Sequence, residues 1–168
     1  MATHPLRVAI ADDDRMMREM LEQLLRNLGH EVVAVAENGR ELIDQALATQ
    51  PDVVITDNLM PDVNGADAAA IIHAQCPAQI ILLSAYCDRE LVLDAEQKHI
   101  LMYLVKPVSQ EHLEAALHRC QELRDSEIDE SEEELHQGEF HGEHHRTSGA
   151  TVYRGPAPPP YRQMRRPR

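Results

Sequence analysis

Residues 53–65 read VVITDNLMPDVNG. Four strand-favouring residues, Val53 to Thr56, run straight into Asp57, and Met60-Pro61 and a turn follow at once. A chain that ends a buried strand on a carboxylate and bends away has made one of two things. It is an ordinary strand-to-loop junction, or it is an acidic group held rigidly at the edge of a sheet. What the other strands carry at their ends decides between them.

Working outward, the sequence alternates between two hydrophobic rhythms. LRVAIA (6–11), EVVAVA (31–36), DVVIT (52–56), QIILLS (79–84) and LMYLV (101–105) are short apolar runs. Most are too continuous for a strand with one wet face and suit a sheet covered on both sides. Met17, Met20, Leu21, Leu24, Leu25 and Leu28 follow helical spacing, and Gly29 is a natural stop. Leu42, Ile43, Ala46 and Leu47 repeat the pattern ahead of Pro51. Gly65 to Cys76 is rich in Ala and Ile and ends at Pro77. Asp88 to Gln97 is predicted as a short fourth helix, and Ser109 caps a fifth carrying Leu113, Ala116, Leu117 and Cys120. Strand and helix alternating five times predict an α/β fold, a doubly wound parallel sheet with right-handed crossovers. The flavodoxin-like strand order 2-1-3-4-5 is the common solution.

In such sheets ligands bind beyond the carboxyl ends of the strands. Strand 1 ends on Asp12-Asp13-Asp14, strand 3 on Asp57, strand 4 on Ser84 and strand 5 on Lys106, whereas the outermost strand 2 ends on Glu37-Asn38. Four adjacent strands thus deliver a polar group to one edge. Clustered carboxylates repel, so one stays protonated or a cation joins them. Oxygen ligands without His or Cys select Mg2+ or Ca2+ over zinc. A metal, the Lys106 ammonium and the Ser84 hydroxyl make a cage for a phosphoryl group in transfer, with Asp57 as the nucleophile. Asp14 is predicted to cap the first helix and stays out of the metal shell.

The net charge of −13 conceals three segments. Residues 1–124 carry −10, residues 125–145 carry −9 with no Lys or Arg, and residues 146–168 carry +6 from six Arg. The acidic body is a poor surface for nucleic acid. The expected organisation is a domain over 1–124, an acidic His-rich segment over 125–145, partly helical or disordered, and a disordered basic Pro/Arg-rich tail over 146–168. The fifth helix is expected to run on through EIDESEEEL, with disorder after Gly138. No apolar run is long enough for a membrane helix, and MATHPLRVAI lacks the pattern of a secretory signal. Cys76, Cys87 and Cys120 have no metal spacing and read as reduced thiols, which points to the cytoplasm.

IADDD, VVITDNLMPDVNG, LLSAY and YLVKP together resemble the receiver domain of two-component response regulators, over about residues 6–122 and in that family's order and spacing. The resemblance implies that Asp57 is the phosphoacceptor and that Asp12 and Asp13 hold Mg2+ with the backbone carbonyl of Leu59. It implies phosphoryl contacts from Ser84 and Lys106, a switch formed by Ser84 and Tyr103, and a cis Lys106–Pro107 peptide that aims the lysine into the site. It also implies phosphate donation by a histidine kinase or phosphotransfer protein. Output to an unknown downstream protein would pass through the surface of the fourth helix, fifth strand and fifth helix, with homodimerisation left open. Such a domain is a signalling switch, not a metabolic enzyme. The wording of LLSAYCDRELVLDAEQKHILMYLVKPV is similar to receivers of the antiterminator type, which usually carry a three-helix RNA-binding domain. The 44 residues after Arg124 contain no such helices, so that output is not carried over.

Competing readings attach to single features. Tyr103 also reads as an ordinary core or boundary aromatic, but aromatics are so rare in this sequence that the switch reading stands somewhat ahead. Leu59 and Tyr86 flank the site and are expected to shield an acyl phosphate from water. His136, His141, His144 and His145, with Glu139 and Glu143, contain metal-binding residue types, but a solvated tail is the default. Nucleic-acid binding through the Arg-rich tail is the alternative function. A phosphohydrolase with an Asp nucleophile is a third reading, weakened because Leu59 stands where that class places a second Asp.

Overall fold

A computed structural model describes residues 4–85 and 100–134, with side chains described to residue 126. The strands are β1 (Arg7–Ala11), β2 (Glu31–Ala36), β3 (Val53–Asp57), β4 (Gln79–Ser84) and β5 (Met102–Val105). The helices are α1 (Arg15–Asn27), α2 (Gly39–Thr49), α3 (Gly65–His73) and a long helix, Gln110–Glu134, which is the fifth helix expected from the sequence. The expected helix over 88–97, together with Tyr86 and Cys87, lies outside the described residues. So does the chain after residue 134 with its histidines.

The sheet order is β2-β1-β3-β4-β5 and every pairing is parallel, as the alternation of rhythms predicts. Successive residues of each strand feed opposite faces. Ala9, Ala11, Val54, Ile80 and Leu82 join Leu42 and Ala46 of α2 and Ala69 and Ile72 of α3 in one core. Val8, Ile10, Ile55, Ile81 and Leu83 join Leu21 and Leu25 of α1 and Leu113 and Leu117 of the long helix in the other. Each fully buried Leu or Ile contributes about 1.5–3 kcal/mol of transfer free energy. Two dry faces therefore clamp β1, β3 and β4 between helices, and their carboxyl ends become fixed points. Cys120 sits in the second core, where burial pushes its thiol up to about 12, so it is inert.

Local chemistry sets the boundaries. Asp14 caps α1, its side chain accepting from the Met16 N–H at 2.8 Å, and so lies outside the acidic cluster as expected. Asn38 caps α2 and Asn64 caps α3. The Ser109 Oγ accepts from the His112 N–H at 3.2 Å at the start of the long helix. Helix α3 is shorter than its sequence pattern: it stops at His73, and the Gln75 and Cys76 N–H groups turn back onto the Ile72 carbonyl. Pro77 bars the residue before it from helical geometry, so the last turn unwinds early. The long helix runs into the acidic segment as far as Glu134. Among the described residues no helix is long and apolar enough to cross a membrane.

Candidate functional site

The site lies along the carboxyl edge of β1, β3, β4 and β5. Asp57 is the last residue of β3, one position inside the strand rather than just after it, and its side chain is buried. Strand pairing carries it there: Asp57 stands opposite Leu83 of β4, and the Asn58 N–H bonds the Leu83 carbonyl at 2.9 Å. Asp12 follows β1 directly and is wholly buried, while Asp13 is exposed. One oxygen from each of Asp12, Asp13 and Asp57 lies within 4.8 Å of the others. The spacings across a magnesium octahedron reach about 4 Å, so the cluster is near the required size.

Lys106 closes the site from β5. Its Nζ stands 2.6 Å from Asp12 Oδ2 and 2.8 Å from Asp57 Oδ1, with the side chain 19% exposed. The Lys106 N–H donates to the Ser84 carbonyl at 2.8 Å, and the Lys106–Pro107 peptide is cis. Burial pushes the Asp57 carboxyl above its ordinary value; the Lys106 ammonium and the Leu59 N–H pull it back part of the way. Burial alone would lower Lys106, but its bonds to Asp12 and Asp57 more than reverse this and hold it above the usual lysine value. The donor set is hard oxygen without His or Cys, which fits Mg2+.

The remaining expected residues fall where the strands put them. Ser84 is buried at the end of β4, opposite Val105. Tyr103 is buried in β5 opposite Leu82, within the core that α2 and α3 cover. The Leu59 N–H donates to Asp57 Oδ2 at 3.1 Å, while the residue is 63% exposed beside the site.

Two contributors were missed at the sequence level. Gly65 approaches so closely that a Cβ there would stand 1.9 Å from the Asp57 carbonyl oxygen, so the loop after Asp57 closes only with glycine at that point. Arg18 reaches back from α1 to the carbonyls of Asp12 and Asp13. One signal was available: the first turn of α1 holds no acid, although the helix dipole favours acids there.

The model of the response regulator receiver domain family matches residues 8–118. The chain belongs to the response regulator receiver family. Phosphorylation and magnesium binding are general features of these receivers. The receiver is 41% identical over 108 residues to the transcriptional regulatory protein PdtaR of Mycobacterium tuberculosis, covering 64% of this chain and 53% of that relative. It thus spans about half the length of PdtaR. It is 36% identical over 116 residues to the chemotaxis protein CheY of Listeria monocytogenes, covering 68% of this chain and 98% of that one. Among solved structures, the signal receiver domain of the putative response regulator NarL from Mycobacterium tuberculosis superposes with a TM-score of 0.68 at 28% identity. That match covers 71% of this chain and 98% of the other.

Proposed function

We propose that this receiver is a phosphorylation switch in which Asp57 accepts a phosphoryl group from the phosphohistidine of a kinase or phosphotransfer protein. A carboxylate oxygen of Asp57 attacks phosphorus as the P–N bond breaks, leaving an acyl phosphate on Asp57 and a neutral histidine on the donor. Asp12, Asp13, Asp57 and the Leu59 carbonyl would hold Mg2+, which supplies charge neutralisation for the incoming phosphoryl oxygens. The chain's own residues do the rest. Asp57 is held rigidly at a strand end and its burial limits access of water. Lys106 leaves the carboxylates for a phosphoryl oxygen, and the Ser84 hydroxyl donates to another. Drawing Ser84 toward the phosphate favours a second packing of Tyr103, and the change reaches partners through the β5 side of the domain.

The single observation that carries this reading is Lys106, from the end of β5, bridging Asp12 and Asp57, two carboxylates from the ends of β1 and β3 held within hydrogen-bond distance of one ammonium. The chemistry makes the domain a switch whose only reactions are its own phosphorylation and dephosphorylation. Residues 125–145 and 146–168 are proposed as appendages to a receiver over 1–124, in the cytoplasm where histidine kinases present their phosphate.

Reduction of the phosphorylated chain with borohydride, followed by peptide mapping, tests the assignment. An acyl phosphate at Asp57 converts that residue to homoserine. Label at Asp12 or Asp13 instead would overturn it.

A further inference from the structure

Arg18 belongs to none of the roles above, yet it is built into the loop that carries the acids. Its Nη1 donates to the Asp12 carbonyl at 2.7 Å and to the Asp13 carbonyl at 3.1 Å. Its Nη2 stands 3.8 Å from Glu37 Oε2 just past β2, and the Arg18 side chain is only 16% exposed. The same loop is tied twice more: the Asp14 N–H donates to Asp12 Oδ1 at 2.9 Å, and the Asp12 N–H bonds the Ala36 carbonyl at 3.3 Å.

Two successive carbonyls held by one donor fix the Asp12–Asp13 and Asp13–Asp14 peptides. The orientation of those peptides determines whether the buried carboxylate of Asp12 and the exposed one of Asp13 face Asp57 together. The half-buried Asp12 carbonyl, left without its donor, would also draw in water or rotate.

We propose that Arg18 is a positioning residue for the acidic pair, clamping the Asp12 and Asp13 carbonyls so that both carboxylates are aimed at the cation position. The inference rests on the magnesium-binding reading above. Charge and positioning predict opposite signs here, which makes the role testable. The guanidinium is a positive charge close to the cation position, so by charge alone its removal tightens Mg2+ binding. By positioning, removal weakens it, because the carboxylates lose their shared orientation. Loss of a partner that orients metal ligands weakens binding by about 10–100-fold, and the opposing charge effect places the expected net at the lower end. Glu37 is 67% exposed and its pairing distance is long, so Glu37→Gln should change little.

The experiment is calorimetric titration of MgCl2 into the full chain, as wild type, Arg18→Met, Arg18→Lys and Glu37→Gln, with a thermal melt of each. Expected are a Kd for Mg2+ raised about tenfold in Arg18→Met, recovery of most of that loss in Arg18→Lys, and a wild-type value in Glu37→Gln. If Arg18→Met does not fold, Arg18→Gln, uncharged and two atoms shorter, replaces it with the same expected direction. Equal or tighter Mg2+ binding in a folded Arg18→Met or Arg18→Gln overturns the positioning role while leaving the metal site standing. A wild-type chain that binds no Mg2+ overturns the site reading itself, and this inference with it.

Discussion

Lys106→Met keeps the stem of the side chain and removes the ammonium that bridges Asp12 and Asp57 at 2.6 and 2.8 Å. A hydrogen bond to a charged group contributes about 1.5–3 kcal/mol net. A dication entering among these carboxylates takes over at least one of the two bonds, so wild type gives up that amount and the variant does not. At about 1.4 kcal/mol per factor of ten, Lys106→Met should bind Mg2+ about 10–100-fold more tightly. The titration belongs at about pH 8, because losing the ammonium removes the pull that offsets burial at Asp57 and its carboxyl rises further. Without magnesium the variant leaves two buried acids facing each other with no cation between them, and it should melt lower than wild type. Magnesium should then raise its Tm by more than it raises that of wild type, since stabilisation by a ligand grows as Kd falls. Isothermal calorimetry and paired melts read both effects. A folded Lys106→Met that binds Mg2+ no better than wild type would refute the view that the lysine and the metal share these carboxylates.

Four further outcomes follow from other residues. The Leu6 N–H donates to His30 Nδ1 at 3.2 Å, and burial lowers the His30 pKa, so the neutral ring is the folded form. Its contribution is full above the ordinary histidine value of about 6.5 and is lost as pH falls through the lowered folded value. Tm should therefore drop on acidification below about pH 6.5, with a shallower slope in His30→Asn. Gly65→Ala places a methyl 1.9 Å from the Asp57 carbonyl and should cost about 3 kcal/mol or more in urea unfolding. Gly29→Ala meets no atoms within 4 Å and should cost only about 1 kcal/mol for its φ of 83°. Leu59→Asn swaps an exposed apolar cover for a water-binding amide and should shorten the lifetime of the phosphorylated state. An unchanged decay would show that Leu59 shields nothing.

Much of the site was legible because the sheet converts sequence position into place. Once the apolar runs are recognised as five parallel strands, the residues after them share one edge, so Asp12, Asp57, Ser84 and Lys106 are located without knowledge of any contact. The capping of α1 by Asp14 was legible for the same local reason. Contacts that depend on side-chain reach were not. Arg18 acts on backbone carbonyls, which leave no mark in residue type, and Gly65 is set by how closely the loop returns over Asp57. The pattern of α3 ran on to Cys76 because its apolar spacing did, while Pro77 ended the helix sooner. Asp57 itself could be placed at the end of β3, but its pairing with Lys106 depends on β4 and β5 lying beside it.

The central claim is that Asp57 is the phosphoacceptor of a magnesium-dependent switch, and intact mass tests it most directly. Wild type and Asp57→Asn are incubated with acetyl phosphate, each with Mg2+ and with EDTA, and weighed. The account predicts a gain of one phosphoryl group in wild type with Mg2+ alone, and none in Asp57→Asn or with EDTA. Equal labelling of Asp57→Asn, or a wild type that stays unlabelled while a control receiver is labelled, would contradict it.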